Sequence, residues 1–202
     1  MKLYYMTGAC SLVSHIALEW TKQVYEAESM PREKLKSPEF LALNPIGSVP
    51  CLVDGDFVLT QSVAILSYLN NIYPDAQLFG ANNPKSQANT MRWLAFCNSD
   101  LHKAFGAIYA PQRLTDDETA FDKLREKARQ NILSMLGIAN LAINQQGLFG
   151  EQKTVADAYL FVILTWCKKL EIDFSHLQNI NALFNTMSKD LGVQAAMKAE
   201  GL

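Results

Sequence analysis

Met1-Lys2-Leu3-Tyr4-Tyr5-Met6-Thr7-Gly8-Ala9-Cys10-Ser11-Leu12 opens the chain. Residues 2–6 form a short apolar run with the character of a β-strand. Thr7-Gly8-Ala9 reads as a turn. Beyond it Leu12, Ile16 and Trp20 recur on one stripe with Val13 and Ala17 beside them, the spacing of an amphipathic helix. Strand, glycine turn and helix in direct succession mark an α/β unit. Working outward, residues 24–28 predict a second strand, and 29–39 form a polar stretch carrying Pro31 and Pro38. Residues 39–43 add a short helical turn. The runs 49–53 and 57–59 flank Asp54-Gly55-Asp56, a hairpin signal. Gln61-Ser62 then opens an apolar helix through Val63, Leu66 and Leu69, which Pro74 stops. The order is βαβαββα, and it occupies residues 1–76.

The remainder reads as helical. Met91, Leu94, Ala95, Leu101 and Phe105 place an apolar stripe on a long helix beginning near Pro84. Phe121, Leu124, Ala128, Ile132 and Leu136 do the same on a second, behind the acidic start Thr115-Asp116-Asp117-Glu118. Gly147 and Gly150 break the chain. Thr154-Val155-Ala156-Asp157 has the form of a capping box, and the helix it opens is apolar all round, as the centre of an all-α bundle would be. Ile180, Leu183, Phe184 and Met187 continue the bundle. The stretch 74–84 is the expected boundary, giving residues 84–202 to an all-helical second domain.

Composition excludes several classes of function. The 202 residues carry 18 Lys and Arg against 20 Asp and Glu, a formal net charge of −2, which lacks the basic footprint of a nucleic-acid binder. At 49% hydrophobic the chain is no disordered segment. The apolar run 158–167 is interrupted by Thr165 and falls far short of the roughly 20 residues of a membrane span. The opening residues lack the uninterrupted apolar core of a signal peptide, which predicts a cytoplasmic protein with reduced thiols. Cys10, Cys51, Cys97 and Cys167 stand singly, without a CxxC pair, and no Cys/His/Asp spacing has the form of a metal site.

Four places carry candidate chemistry. Cys10 follows a glycine turn at the start of a helix, where unpaired N–H groups and the helix dipole lower a cysteine pKa. The alternative there is an inert buried cysteine. Val49-Pro50 puts a proline at a strand entrance, after Asn44-Pro45-Ile46-Gly47. Such a loop presents the Val49 N–H and C=O to a peptide-like ligand, and a cis Val49-Pro50 bond is compatible with it. A plain structural turn fits equally well. Gln61-Ser62 sits at a helix start that can hold a carboxylate, or serve only as a cap. His102, in Asp100-Leu101-His102-Lys103, lies at the border of its apolar stripe, where a helix histidine is more often a satisfied surface residue than a catalyst. His15 and His176 read as bland.

Together these fragments resemble the cytosolic glutathione transferases, and most closely the bacterial beta class. The resemblance runs through Met1-Lys2-Leu3-Tyr4-Tyr5, Gly8-Ala9-Cys10-Ser11-Leu12, Asn44-Pro45 with Gly47 and Val49-Pro50, and Val63-Ala64-Ile65 leading to Tyr68-Leu69. It continues through Leu101-His102-Lys103, Thr154-Val155-Ala156-Asp157-Ala158-Tyr159-Leu160-Phe161, and Ala199-Glu200-Gly201-Leu202. It implies a thioredoxin-like first domain and a helical second domain that contributes the electrophile pocket. It also implies a homodimer with glutathione as co-substrate and no metal.

Carried over, Cys10 and His102 flank the glutathione sulfur, and Val49 beside cis Pro50 pairs with the cysteinyl unit. Gln61 and Ser62 hold the γ-glutamyl end, Ser62 at its carboxylate, and Ser11, at the helix start beside Cys10, joins the glutathione-binding residues. Thr154 and Asp157 match a structural capping box. Gln61 stands where the beta class often has Glu, and Ala95 where close relatives carry Asn. A short 32–36 loop leaves Lys34 as the candidate partner of the glycyl carboxylate. The implied reaction is conjugation of the glutathione thiolate to hydrophobic electrophiles, with one-thiol disulfide reduction through Cys10 as a second chemistry. The alternatives are a non-catalytic interaction protein of the same fold and a glutathione-dependent isomerase or dehalogenase.

Overall fold

The computed structural model describes residues Met1–Leu202. Strand β1 (Lys2–Tyr5) turns Leu3 and Tyr5 inward in strict alternation. It pairs in parallel with β2 (Glu26–Ser29) and antiparallel with β3 (Cys51–Asp54), which folds back as a hairpin on β4 (Phe57–Thr60). The sheet order is β2-β1-β3-β4, with Leu3 beside both Ala27 and Leu52, and Leu52 beside Leu59. Helices α1 (Ser11–Thr21), α2 (Pro38–Leu43) and α3 (Ser62–Ile72) complete the thioredoxin-like unit. Both faces of β3 are covered: Leu52 joins the main core, while Cys51 packs with Met30 and Phe40 in a small cluster that includes α2. Strand β2 starts two residues later than its sequence suggests. Val24 is 98% exposed and all four strand residues face solvent, so this edge carries no apolar alternation to mark it. Lys2 steadies it by an ion pair with Glu28 at 2.7 Å.

The segment 74–84 is no free linker. Leu78 is fully buried and its carbonyl accepts the Val155 N–H at 3.0 Å. The helical unit begins with α4 (Pro84–Ala95), capped by Asn83 on the Ser86 N–H. It runs without a break into a π-helical segment, Phe96–Leu101, then α5 (His102–Ala104) and α6 (Gly106–Tyr109). The buried face is Trp93, Leu94, Cys97, Leu101 and Phe105, while Met91 and Ala95 of the expected stripe are exposed. A π segment takes one residue more per turn, so a 3.6-residue period misplaces the face on its N-terminal side.

Four helices finish the unit: α7 (Phe121–Ala142), α8 (Val155–Lys169), α9 (Gln178–Ser188) and α10 (Leu191–Glu200). The acidic start 115–118 caps a 3-10 turn (Glu118–Ala120) through Asp117, one turn before α7 itself. Helix α8 is the central stave, buried on nearly every side. One continuous apolar core of 45 buried residues joins it to the sheet, so the two units fold against each other. No helix is long and apolar enough to cross a membrane.

Candidate active site

Cys10 is the N-cap residue of α1 and makes no side-chain cap. Its thiol donates to the Val49 carbonyl at 3.6 Å, so the β1–α1 turn and the proline loop meet at the sulfur. Burial pushes the thiol up to about 11; the backbone N–H groups of Cys10 and Ser11 and the Ser62 hydroxyl pull the other way and do not win. The expectation that the helix start lowers this pKa is therefore corrected: desolvation dominates, and Cys10 is a thiol at neutral pH.

Ser11 is also placed differently from a ligand-binding hydroxyl. Its side chain is fully buried, accepting from the Met6 N–H at 3.1 Å and donating to the Met6 carbonyl at 3.3 Å. It closes the turn, leaving only its N–H for a ligand.

The Val49-Pro50 bond is cis. The Val49 N–H has no protein acceptor, because ladder pairing with β1 starts at Cys51. Asn44 holds this loop by donating to the Ser48 carbonyl and accepting from the Ile46 N–H. Gly47 has φ +62°, and a Cβ there would lie 2.5 Å from the Leu35 carbonyl oxygen, so the loop demands glycine. Lys36 donates to the Ile46 carbonyl at 2.7 Å. Lys34, on the exposed 3-10 turn Arg32–Lys36, is free of such a tie.

Gln61 caps α3 with φ +72°, a backbone conformation that costs a non-glycine residue about 1–3 kcal/mol. Its side chain makes no cap and faces solvent. Ser62 beside it is buried at the first position of α3.

His102 is half-buried, which lowers its pKa, so the ring is neutral at pH 7. Its Nδ1 lies 2.9 Å from the Tyr159 hydroxyl, which donates to Asn98 Oδ1 at 3.0 Å. The ring packs against Trp166 with centroids 4.8 Å apart, and the Trp166 indole N–H donates to the Gly8 carbonyl at 2.7 Å. The other side of that glycine is held as well: the Gly8 N–H donates to Glu200 Oε2 at 2.9 Å. Glu200 is buried, and its second oxygen meets His15 Nδ1 at 2.9 Å. Gly8 is thus pinned by α8 on one edge and α10 on the other, two residues before the thiol.

Of the sequence candidates, Cys10 meets Val49, beside Pro50, and Ser62, with Gln61 next in the chain, and His102 is linked to them through Tyr159. Tyr159, Asn98, Trp166, Glu200 and His15 were missed. Tyr159 and Trp166 read as core, and Ala95, singled out as lacking an Asn side chain, faces solvent while Asn98 supplies the amide. His176 is exposed and plays no part. Cys51, Cys97 and Cys167 are buried structural thiols. A groove of about 710 Å³ lies between α5–α6 and α7, lined in part by Lys103, Ala107, Ala110, Leu114, Leu124 and Ala128. Neither Cys10 nor His102 reaches it.

Thr154 and Asp157 form the expected capping box, with Asp157 also accepting the Phe149 N–H at 2.8 Å.

Two family models match: the glutathione S-transferase N-terminal domain over residues 1–71 and the C-terminal domain over residues 90–190. Glutathione S-transferase GST-4.5 of Xanthomonas campestris is 38% identical, with all of both chains covered. The glutathione S-transferase structure from Xylella fastidiosa is 40% identical with a TM-score of 0.94, covering 100% of this chain and 98% of that one. The bacterial beta class enzyme of Sphingomonas chungbukensis is 33% identical over the whole of both chains, with a TM-score of 0.87.

Proposed function

Because this chain belongs to the glutathione S-transferase family, whose activity is glutathione conjugation, we propose that it transfers the glutathione sulfur to small hydrophobic electrophiles. The observation that carries this reading is the meeting of the Cys10 thiol with the Val49 carbonyl and the Ser62 hydroxyl. In a solved sphingomonad relative, glutathione is the bound ligand.

In this reading residues 1–76 hold glutathione. The free Val49 N–H and the Val49 carbonyl pair with the cysteinyl unit beside Pro50, as an added strand would. Gln61, Ser62 and the Ser11 N–H take the γ-glutamyl end, where two helix starts favour its carboxylate. Lys34 meets the glycyl carboxylate, since the Lys36 ammonium is already tied to Ile46. Cys10 keeps its proton and donates a hydrogen bond to the glutathione thiolate. The thiolate attacks an electrophilic carbon, a C–S bond forms and the leaving group departs with its electron pair. Residues 84–202 supply the electrophile's apolar surroundings.

One-thiol disulfide reduction is the secondary chemistry. The Cys10 thiolate would attack a glutathionylated disulfide, release the other thiolate and pass its own mixed disulfide to a second glutathione. The high Cys10 pKa makes this slow at neutral pH. Cys10→Ala separates the two: retained conjugation with lost disulfide reduction assigns Cys10 to redox work alone. An interaction protein lacking catalysis would show neither retention on immobilised glutathione nor a thermal shift with it.

Exposed Phe57, Ile72 and Met91, on the hairpin, α3 and α4, support a homodimer, which light scattering would show as twice the 22.6 kDa chain mass. Four unpaired cysteines support a reducing, cytoplasmic setting.

A further inference from the structure

The Asn98–Tyr159–His102 chain has a direction. Tyr159 gives its only proton to Asn98 Oδ1, so its oxygen has only lone pairs to offer the histidine 2.9 Å away. His102 must then donate through Nδ1–H, and the neutral ring carries its free lone pair on Nε2, which has no protein partner. The arrangement depends on the π segment Phe96–Leu101, directly before His102. Its wide turn presents Asn98 and His102 to the same hydroxyl of α8, and π turns inside helices frequently mark functional positions. Asn98 holds the hydroxyl proton of the completely buried Tyr159, and Trp166 packs on the imidazole and holds the ring.

We propose that Tyr159 and Asn98 are positioning residues that hold His102 in its Nδ1–H form, so that Nε2 receives the glutathione thiol proton. The inference rests on the reading of His102 as a neighbour of the glutathione sulfur. In the step, the S–H bond breaks, its proton forms an N–H bond at Nε2, and the electron pair stays on sulfur. The resulting imidazolium keeps both N–H groups engaged, Nδ1 on Tyr159 and Nε2 on the new thiolate, and returns its proton to solvent after C–S bond formation. The titratable groups around this chain are Cys10 from α1 and Cys97 from the π segment, both thiols that burial keeps protonated, and Tyr159 itself, which burial holds neutral.

The test combines ring ¹⁵N shifts with kinetics. The chain has three histidines, so His102→Ala assigns the His102 resonances by difference. At neutral pH the expected result is a protonated Nδ1 and a bare Nε2. Tyr159→Phe, which removes one oxygen, should move protonation towards Nε2 and lower kcat by about tenfold, part of the roughly 10²–10⁴ a positioned base contributes. Glutathione KM stays unchanged, and the acid limb of the kcat profile shifts to lower pH because the imidazolium loses its acceptor.

Asn98→Ala, which leaves the core untouched, should act in the same direction by freeing Tyr159 to donate to the ring; it stands in if Tyr159→Phe does not fold. On a His102→Ala background both changes should have no further effect. A resting Nε2–H form, or a full Tyr159→Phe loss on the His102→Ala background, overturns the inference. Unaltered conjugation and unaltered ultraviolet thiolate titration in His102→Ala would overturn the reading of His102 itself.

Discussion

Two helix starts in this protein are built in opposite ways. At α8 the Val155 N–H is answered by the Leu78 carbonyl and the cap by Asp157. Asp157 accepts from the Thr154 N–H, the Thr154 hydroxyl and the Phe149 N–H, and the whole assembly is sealed in the core. At α1 the cap position carries a thiol that points away to Val49, and the Cys10 and Ser11 N–H groups remain unpaired while those of Leu12 and Val13 turn back to the Ala9 and Cys10 carbonyls. The closed start stabilises the fold. The open one leaves the local hydrogen-bonding potential that a ligand can use, and the second unit holds its turn in place.

The contrast is broken or sharpened by four measurements. Asp157→Ala strips three donors of their acceptor and should cost about 3 kcal/mol, lowering Tm by about 6–12 °C. Conjugation per folded molecule should persist; a loss of turnover at unchanged Tm would erase the distinction between the two starts. Glu200→Ala leaves the Gly8 N–H and His15 without their partner, with about 2 kcal/mol lost in denaturant titration. Its second effect is a higher glutathione KM, because the turn before Cys10 is released from one side. Gly8→Ala is a smaller change: Leu202 carbons at 3.8 Å leave room for a methyl, so only the φ of +69° resists, at about 1 kcal/mol. Unchanged stability there would mean the turn relaxes freely.

The smallest effect is on Cys10 itself. Its thiol sits near 11 in the fold against an ordinary 9.0. A raised thiol favours the folded state below the ordinary value, and that contribution is lost as pH rises through 9 towards 11. Iodoacetamide labelling should therefore be slower at pH 8 than for a free cysteine and climb steeply towards pH 11. Fast labelling at pH 8 would show that the dipole outweighs burial after all.

The sequence made the α/β unit legible because its strands and turns are local signals. Asp54-Gly55-Asp56 announces a hairpin whatever surrounds it, and the capping box at Thr154 needs only four residues. Cys10, Val49 and Ser62 were legible for the same reason, each lying beside a turn or helix start. Strand β2 was blurred because it alternates nothing, and the α4 face because a π turn resets the period. Tyr159 and Trp166 sit in a helix apolar all round, where periodicity cannot separate a core residue from one whose polar atom has a task. Glu200 was hidden by distance: its contact with Gly8 spans 192 positions. The raised Cys10 pKa was out of reach because it depends on burial by neighbours from other elements.

That last contact bears on how the molecule is made. Glu200 is synthesised 192 positions after Gly8, so the turn that carries Cys10 stays unclamped while everything between is built. A nascent chain can form the sheet and most of the bundle early, since those contacts are nearer in sequence. The turn before Cys10 is clamped on this side only when α10 docks, which makes that helix a checkpoint that a product stalled before it does not pass.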